Sequence, residues 1–296
     1  MSNNAHAFQP TPDDDTDPVD RETSHDFIDQ PGPSLERKAK LFALLYSSQE
    51  VDKRFRRIHE AMLSQSPQIR EPDFTVIGTD DLERLFAHYD REFFMGRLAE
   101  MLVEDSAHPA AFRLSRRLTS AAGQTIRRVR RVNQGGRSLN RVDYEITIST
   151  TLLYNTFLQQ GRAVTVGGLP CSDRLEALQR IFEHELLHLA EFLGWGASNC
   201  KASNFRALSR RLFAHEAPHH DLITPREQAR IAYGIQLGDL VSFEIEGERR
   251  VGVVNRVTRR ATVLVEDPRG QPYTNGKRCI PYYVPLARLR KEDGSS

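Results

Sequence analysis

His184-Glu185-Leu186-Leu187-His188 is the stretch on which the reading of this chain turns. Two histidines four residues apart on a helix lie one turn from each other on the same face. That spacing lets both imidazoles grip one metal ion, for which zinc is the usual occupant. The glutamate after the first histidine is then placed to take a proton from water at that ion. The flanks predict the helix that this geometry needs. Asp173 follows Ser172, and Leu175, Leu178, Ile181, Phe182, Leu186, Leu189, Ala190 and Leu193 recur at helical spacing. Gly194 stands where many helices stop.

Composition narrows what surrounds this helix. At 296 residues the chain accommodates one domain of ordinary size and a smaller second one. Its net charge of +1 is unevenly spread. Asp13, Asp14, Asp15, Asp17, Asp20, Glu22, Asp26 and Asp29 face Arg21 alone in residues 1–30, a net −7 that leaves the rest of the chain at +8. A mildly basic body is compatible with a polyanionic partner such as nucleic acid, but charge alone favours a solvated arginine-rich face. Cys171, Cys200 and Cys279 form no Cys-x-x-Cys pair, which excludes a zinc ribbon built from cysteines. Their odd, small number points to a reducing compartment. No apolar run approaches the ~18 residues of a membrane span and the start has no signal pattern, so a soluble, cytoplasmic protein without a membrane partner is expected.

Read outward from the helix, the chain falls into four parts. Residues 1–33 are rich in Asp, Pro, Ser and Asn and are predicted to be a disordered acidic leader. Residues 34–72 carry helical periodicity and form a helical arm. In residues 73–233, a helix capped by Thr79 or Asp80 carries Leu82, Leu85, Phe86, Tyr89, Phe93 and Phe94 as core. Phe112–Leu118, Thr125–Val132 and Arg141–Ser149 alternate, predicting three strands of an antiparallel meander. Arg128 and Arg130 in the second strand are candidate nucleic-acid contacts. From residue 236 to 292, short alternating strands separated by glycine turns predict a small SH3-like β-barrel. Arg256, Arg259 and Arg260 decorate it and are further candidate nucleic-acid contacts. The fold class expected is α+β.

This order of pieces resembles the SprT-like metalloprotease domain, also found in Spartan proteins. The leading helix is Leu85-Phe86-Ala87-His88-Tyr89-Asp90-Arg91-Glu92-Phe93-Phe94, followed by Gly96-Arg97-Leu98. Arg117-Leu118 with Ala121-Ala122-Gly123, then Ile146-Thr147-Ile148-Ser149, precede the metal helix. The resemblance implies a zincin-like fold and a zinc-dependent peptidase acting on a protein or peptide; the best-known relatives cut proteins crosslinked to DNA. Two features depart from the family. Lys201 falls where a third histidine is usual, ahead of the aromatic Phe205, and the family's zinc ribbon is replaced by the barrel-like tail.

Catalytic zinc takes three protein ligands and water. We place His184, His188 and Cys200 as ligands and Glu185 as general base. Cys200 lies far enough past His188 to fold back over the site. His215, Glu216 or no third ligand at all are the alternatives, with His219 and His220 behind them. The rival functional reading is a catalytically lapsed zinc domain that binds nucleic acid or a protein through the basic C-terminal barrel. Substrate, partner and oligomeric state are not encoded in any motif.

Overall fold

The computed structural model describes residues 33–106, 108–134, 137–157 and 163–292. The acidic leader predicted over residues 1–33 lies, but for its last residue, outside them. The protein is a mixed α+β chain of two compact units that divide between Leu222 and Ile223.

The N-terminal unit opens with helices α1 (Leu35–Phe42), α2 (Ser48–Gln65) and α3 (Thr79–Tyr89). Leu41, Val51, Ile58 and Met62 from the first two are buried in the same core as the helix that carries His184 and His188, so residues 34–72 belong to this unit and are not a separate arm. Helix α3 starts one residue before expectation. Gly78 is its N-cap, and Asp81 accepts from the Gly78 N–H at 2.9 Å and from Ser66 Oγ at 2.6 Å. One wider π-turn, Asp90–Phe94, ends at Met95 and Gly96 with positive φ. There Asp90 accepts from the N–H groups of Leu98 and Ala99, which open α4 (Arg97–Asp105).

Strands β1 (Ala111–Ser115), β2 (Gly123–Gln134) and β3 (Arg137–Ser149) form one sheet in the order β1-β3-β2. β2 and β3 are an antiparallel hairpin, but β1 runs parallel to β3 on its other side. The sheet is therefore not an antiparallel meander. Alternation of side chains marks a strand but carries no direction, and the connection through Ala121-Ala122-Gly123 crosses over the central strand. In register, Gly123 faces Ile148 and Thr125 faces Ile146. Successive side chains alternate between faces, so Gly123 and Thr125 share the side of Ile146 and Ile148, both fully buried.

After α5 (Thr150–Thr156) and the hairpin of β4 (Val164–Val166) and β5 (Leu169–Cys171) comes α6 (Arg174–Trp195). Asp173 caps it, accepting from the Glu176 N–H at 2.8 Å. It continues past Gly194 to Trp195, and Gly196, at φ 74°, supplies the left-handed C-cap. Gly194 has a packing role instead: the ring of Phe42 occupies the space its Cβ would need, and that ring stacks on Trp195 at 4.2 Å. Leu175, Leu178, Phe182, Leu186, Leu187 and Leu189 on α6 are inaccessible to solvent. Each such burial contributes ~1.5–3 kcal/mol, which makes this helix the axis of the unit. Helix α7 (Ser203–Phe213) then packs on it.

The C-terminal unit contains α8 (Pro225–Tyr233) and strands β6 (Leu240–Ile245), β7 (Glu248–Val257), β8 (Ala261–Pro272), β9 (Arg278–Val284) and β10 (Arg290–Lys291). Sequence placed α8 with the metal helix, but it packs on β7 within this second unit. The sheet order is β10-β6-β7-β8-β9, antiparallel throughout, and no ladder closes it into a barrel among the described residues. Val241, Phe243, Val254, Ala261 and Val263 form its separate core.

Candidate metal centre

The fourfold spacing on α6 does what helical geometry requires. Nε2 of His184 and Nε2 of His188 lie 3.2 Å apart. The chain after Gly196 folds back, and the candidate ligand atoms of His184, His188 and Cys200 all lie within 4.8 Å of one another. This is the one such cluster among the described residues, and its three donors could hold a metal ion. Phe205, at the start of α7, closes the far side: its ring centroid is 5.0 Å from that of His184 and 4.7 Å from that of His188.

The orientation of His188 is set by a relay. Ser198 Oγ donates to Glu191 Oε2 at 2.5 Å, and the Asn199 N–H donates to the same oxygen at 3.2 Å. A carboxylate only accepts, so the single hydroxyl proton of Ser198 is committed to Glu191. Ser198 Oγ must then accept from His188 Nδ1, 2.7 Å away. The ring proton is thereby fixed on Nδ1, and the lone pair of Nε2 points at His184, the tautomer a metal requires.

Glu185 is buried in the same place. Its Oε2 accepts from Thr125 Oγ1 at 2.7 Å, and that hydroxyl is also 3.0 Å from the Glu185 carbonyl. Its Oε1 lies over Gly123, where an added Cβ would stand only 2.6 Å away. β2 thus holds the carboxyl from one side with a hydroxyl and makes room on the other with a glycine. Burial disfavours the charged form of His184, Glu185 and His188 alike. Burial first, then His188, His215 and His220, push His184 down to about 3; burial pushes His188 down to about 4. Burial lifts Glu185 to about 8, with Thr125 opposing in part. A cleft of ≈ 380 Å³ opens onto His184 and Glu185, walled by Ala121, Gly123, Val166 and His220 among others.

No family model matches the chain, and neither a curated protein nor a solved structure matches it significantly. The site therefore rests on its own geometry.

His215 does not join the cluster. Its Nε2 is 2.7 Å from Glu183 Oε2, on another face of α6. Glu183 is fully buried and is also paired with Arg180 at 3.1 Å and with the hydroxyl of Tyr89 at 2.9 Å. Burial would raise that carboxyl, but Arg180 and His215 outweigh it and hold it low. Glu216 lies against Gly168 and is exposed, and Lys201 is exposed as well. The arginines separate into two sets. Arg128 is paired with Glu145 through both terminal nitrogens, at 3.2 and 3.3 Å, and Arg130 is 3.6 Å from Asp143. Arg256, Arg259 and Arg260 cluster around the β7–β8 turn, exposed and without an ion pair to any described residue.

Sequence reading missed Thr125, Gly123, Ser198 and Glu191. The first two depend on the register of β2 against α6, which no local pattern encodes. Glu191 and Ser198 carried a faint signal, since Glu191 follows His188 by three residues on the same helix face.

Proposed function

We propose that the N-terminal unit is a zinc-dependent peptidase of the SprT-like, zincin-like kind. The observation that carries this reading is the convergence of His184, His188 and Cys200 on one point beside a buried Glu185 at the floor of an open cleft. Ligands at ~2.0–2.3 Å in a tetrahedron are separated by about 3.3–3.7 Å. The 3.2 Å between the two imidazole nitrogens is within about 0.1 Å of the lower end of that spacing, and the two-nitrogen, one-sulfur donor set suits zinc.

His184 and His188 would hold the ion through Nε2 and Cys200 through its sulfur. Bound there, zinc supplies a Lewis acid that acidifies water and polarises a carbonyl. A cation bound by these ligands would favour the ionised form of Glu185 despite its burial, and Glu185 would then accept the proton of the attacking water and hand it to the departing amine nitrogen as the C–N bond breaks. Thr125 holds one carboxyl oxygen, so proton traffic falls to the other, above Gly123. Phe205 and the Ser198–Glu191 relay keep the imidazoles from turning away. The test is Glu185→Gln in the full chain. Zinc stays bound and cleavage of a denatured protein substrate falls at least ~100-fold. Cleavage at the parental rate would remove Glu185 as the base.

A second reading is favoured by the arginines of the β7–β8 turn. In it the C-terminal unit docks on nucleic acid, bringing the cleft to DNA-associated proteins, or acting alone if the metal domain has lapsed. The strand order β10-β6-β7-β8-β9 with a 3-10 turn, Leu286–Arg288, before the last strand supports an SH3-like unit. Unpaired exposed arginines give binding that weakens steeply with salt.

A further inference from the structure

Hydrolysis of an amide needs a partner for the oxygen that becomes negatively charged, and in this protein the candidate is a histidine outside the metal cluster. The segment after α7 lies antiparallel to β4 as an added strand. The Gly167 N–H donates to the His219 carbonyl at 3.0 Å, the Asp221 N–H donates to the Thr165 carbonyl at 2.8 Å, and Val166 and His220 are directly opposed. Opposed residues of an antiparallel pair project from the same face. Val166 is buried and lines the cleft, so His220 projects from the same face, and both border the space in front of His184 and Glu185.

The ring's proton is fixed by a local bond. His220 Nδ1 accepts from the Leu222 N–H at 3.3 Å. A neutral imidazole that accepts at one nitrogen carries its proton on the other. Nε2–H is therefore free to donate. Two further supports anchor this wall. Glu216 and Ala217 both donate their N–H to the Gly167 carbonyl, and His215, clasped by Glu183, sits directly beneath Gly167. The donor is held on a rigid ledge, which is what electrostatic stabilisation of a developing charge needs.

We propose that His220 donates from Nε2–H to the carbonyl oxygen of the scissile amide as it becomes an oxyanion, opposite Glu185. This rests on the peptidase reading above. Burial depresses the basicity of the ring, with Asp221 opposing and His219 assisting.

The experiment uses the full, zinc-loaded chain and the fastest-cleaved member of a mixed peptide digest. His220→Phe keeps a ring but no donor; His220→Gln restores an N–H. The Phe variant is expected to lose ~10²–10³-fold in kcat, with KM changed by less than ~3-fold. Calorimetry supplies a readout beyond activity. Affinity for the same peptide with a phosphinate in place of the cleaved amide falls by a similar factor in the Phe variant, and affinity for the cleavage products does not. The Gln variant recovers at least ~10-fold of both losses. Equal losses for phosphinate and products, or no loss, overturn the role of His220 and leave the peptidase reading standing. Loss of zinc in both variants assigns His220 to structure and likewise overturns it. If the zinc-loaded parent cleaves no member of the digest, the peptidase reading fails and this inference falls with it.

Discussion

Ser198→Ala isolates the relay behind His188. The substitution removes one oxygen and little volume, from a loop residue outside every helix and strand. Two hydrogen bonds go with it, His188 Nδ1 to Ser198 at 2.7 Å and Ser198 to Glu191 at 2.5 Å. The buried Glu191 carboxylate then keeps the Asn199 N–H. A hydrogen bond to a charged group is worth ~1.5–3 kcal/mol. Removing a group that orients a metal-binding histidine typically costs ~10–100-fold in affinity, which corresponds to ~1.4–2.7 kcal/mol. The two routes agree, so zinc should bind ~10–100-fold more weakly in Ser198→Ala. Competition against a chromophoric chelator measures this directly. Ser198→Thr, which keeps the hydroxyl, should stay close to the parent. Unchanged zinc affinity in Ser198→Ala, with Thr equally silent, would refute the argument that this relay fixes the His188 tautomer.

Three further outcomes are expected. In Gly123→Ala the new Cβ stands 2.6–2.8 Å from the Glu185 carboxyl; displacement of the base should cost ~100-fold in kcat while zinc stoichiometry stays at the parental value, as metal analysis of the variant would check. Glu183→Ala strands the buried Arg180 without its carboxylate and should destabilise the fold by ~3–5 kcal/mol in urea denaturation, far more than an exposed pair such as Lys40–Glu36 would. Replacing Arg256, Arg259 and Arg260 together with Ala should reduce the slope of log affinity against log salt for duplex DNA by roughly 2.7, read by fluorescence anisotropy, whereas Arg128→Ala, already paired with Glu145, should change it by much less.

The legible part of this molecule was the part whose geometry is local. A helix with two histidines one turn apart follows from spacing alone, and α6 brings His184 and His188 together as the spacing requires. The illegible part is whatever a second element contributes. Thr125 and Gly123 reach Glu185 only because β2 lies in one register on β3 and in one place against α6. The direction of β1 is a property of its crossover, invisible in its alternation. His215 was a candidate ligand because sequence distance does not say which face of α6 a returning chain meets; it meets Glu183. Gly194 could have been a stop or a close contact, and the ring of Phe42 decides for contact. The segment that forms α8 was placed with the first unit because the alternating strands that mark the second begin only after it; the contacts that tie it to β7 are not local.

Zinc stoichiometry on the purified full chain, by atomic emission, tests the central claim most directly. The account predicts one equivalent per chain, lost in His188→Ala and bound more weakly in Cys200→Ser than in the parent. Absence of zinc from the parent after reconstitution, or one equivalent that survives replacement of His184 and His188 together, would contradict it.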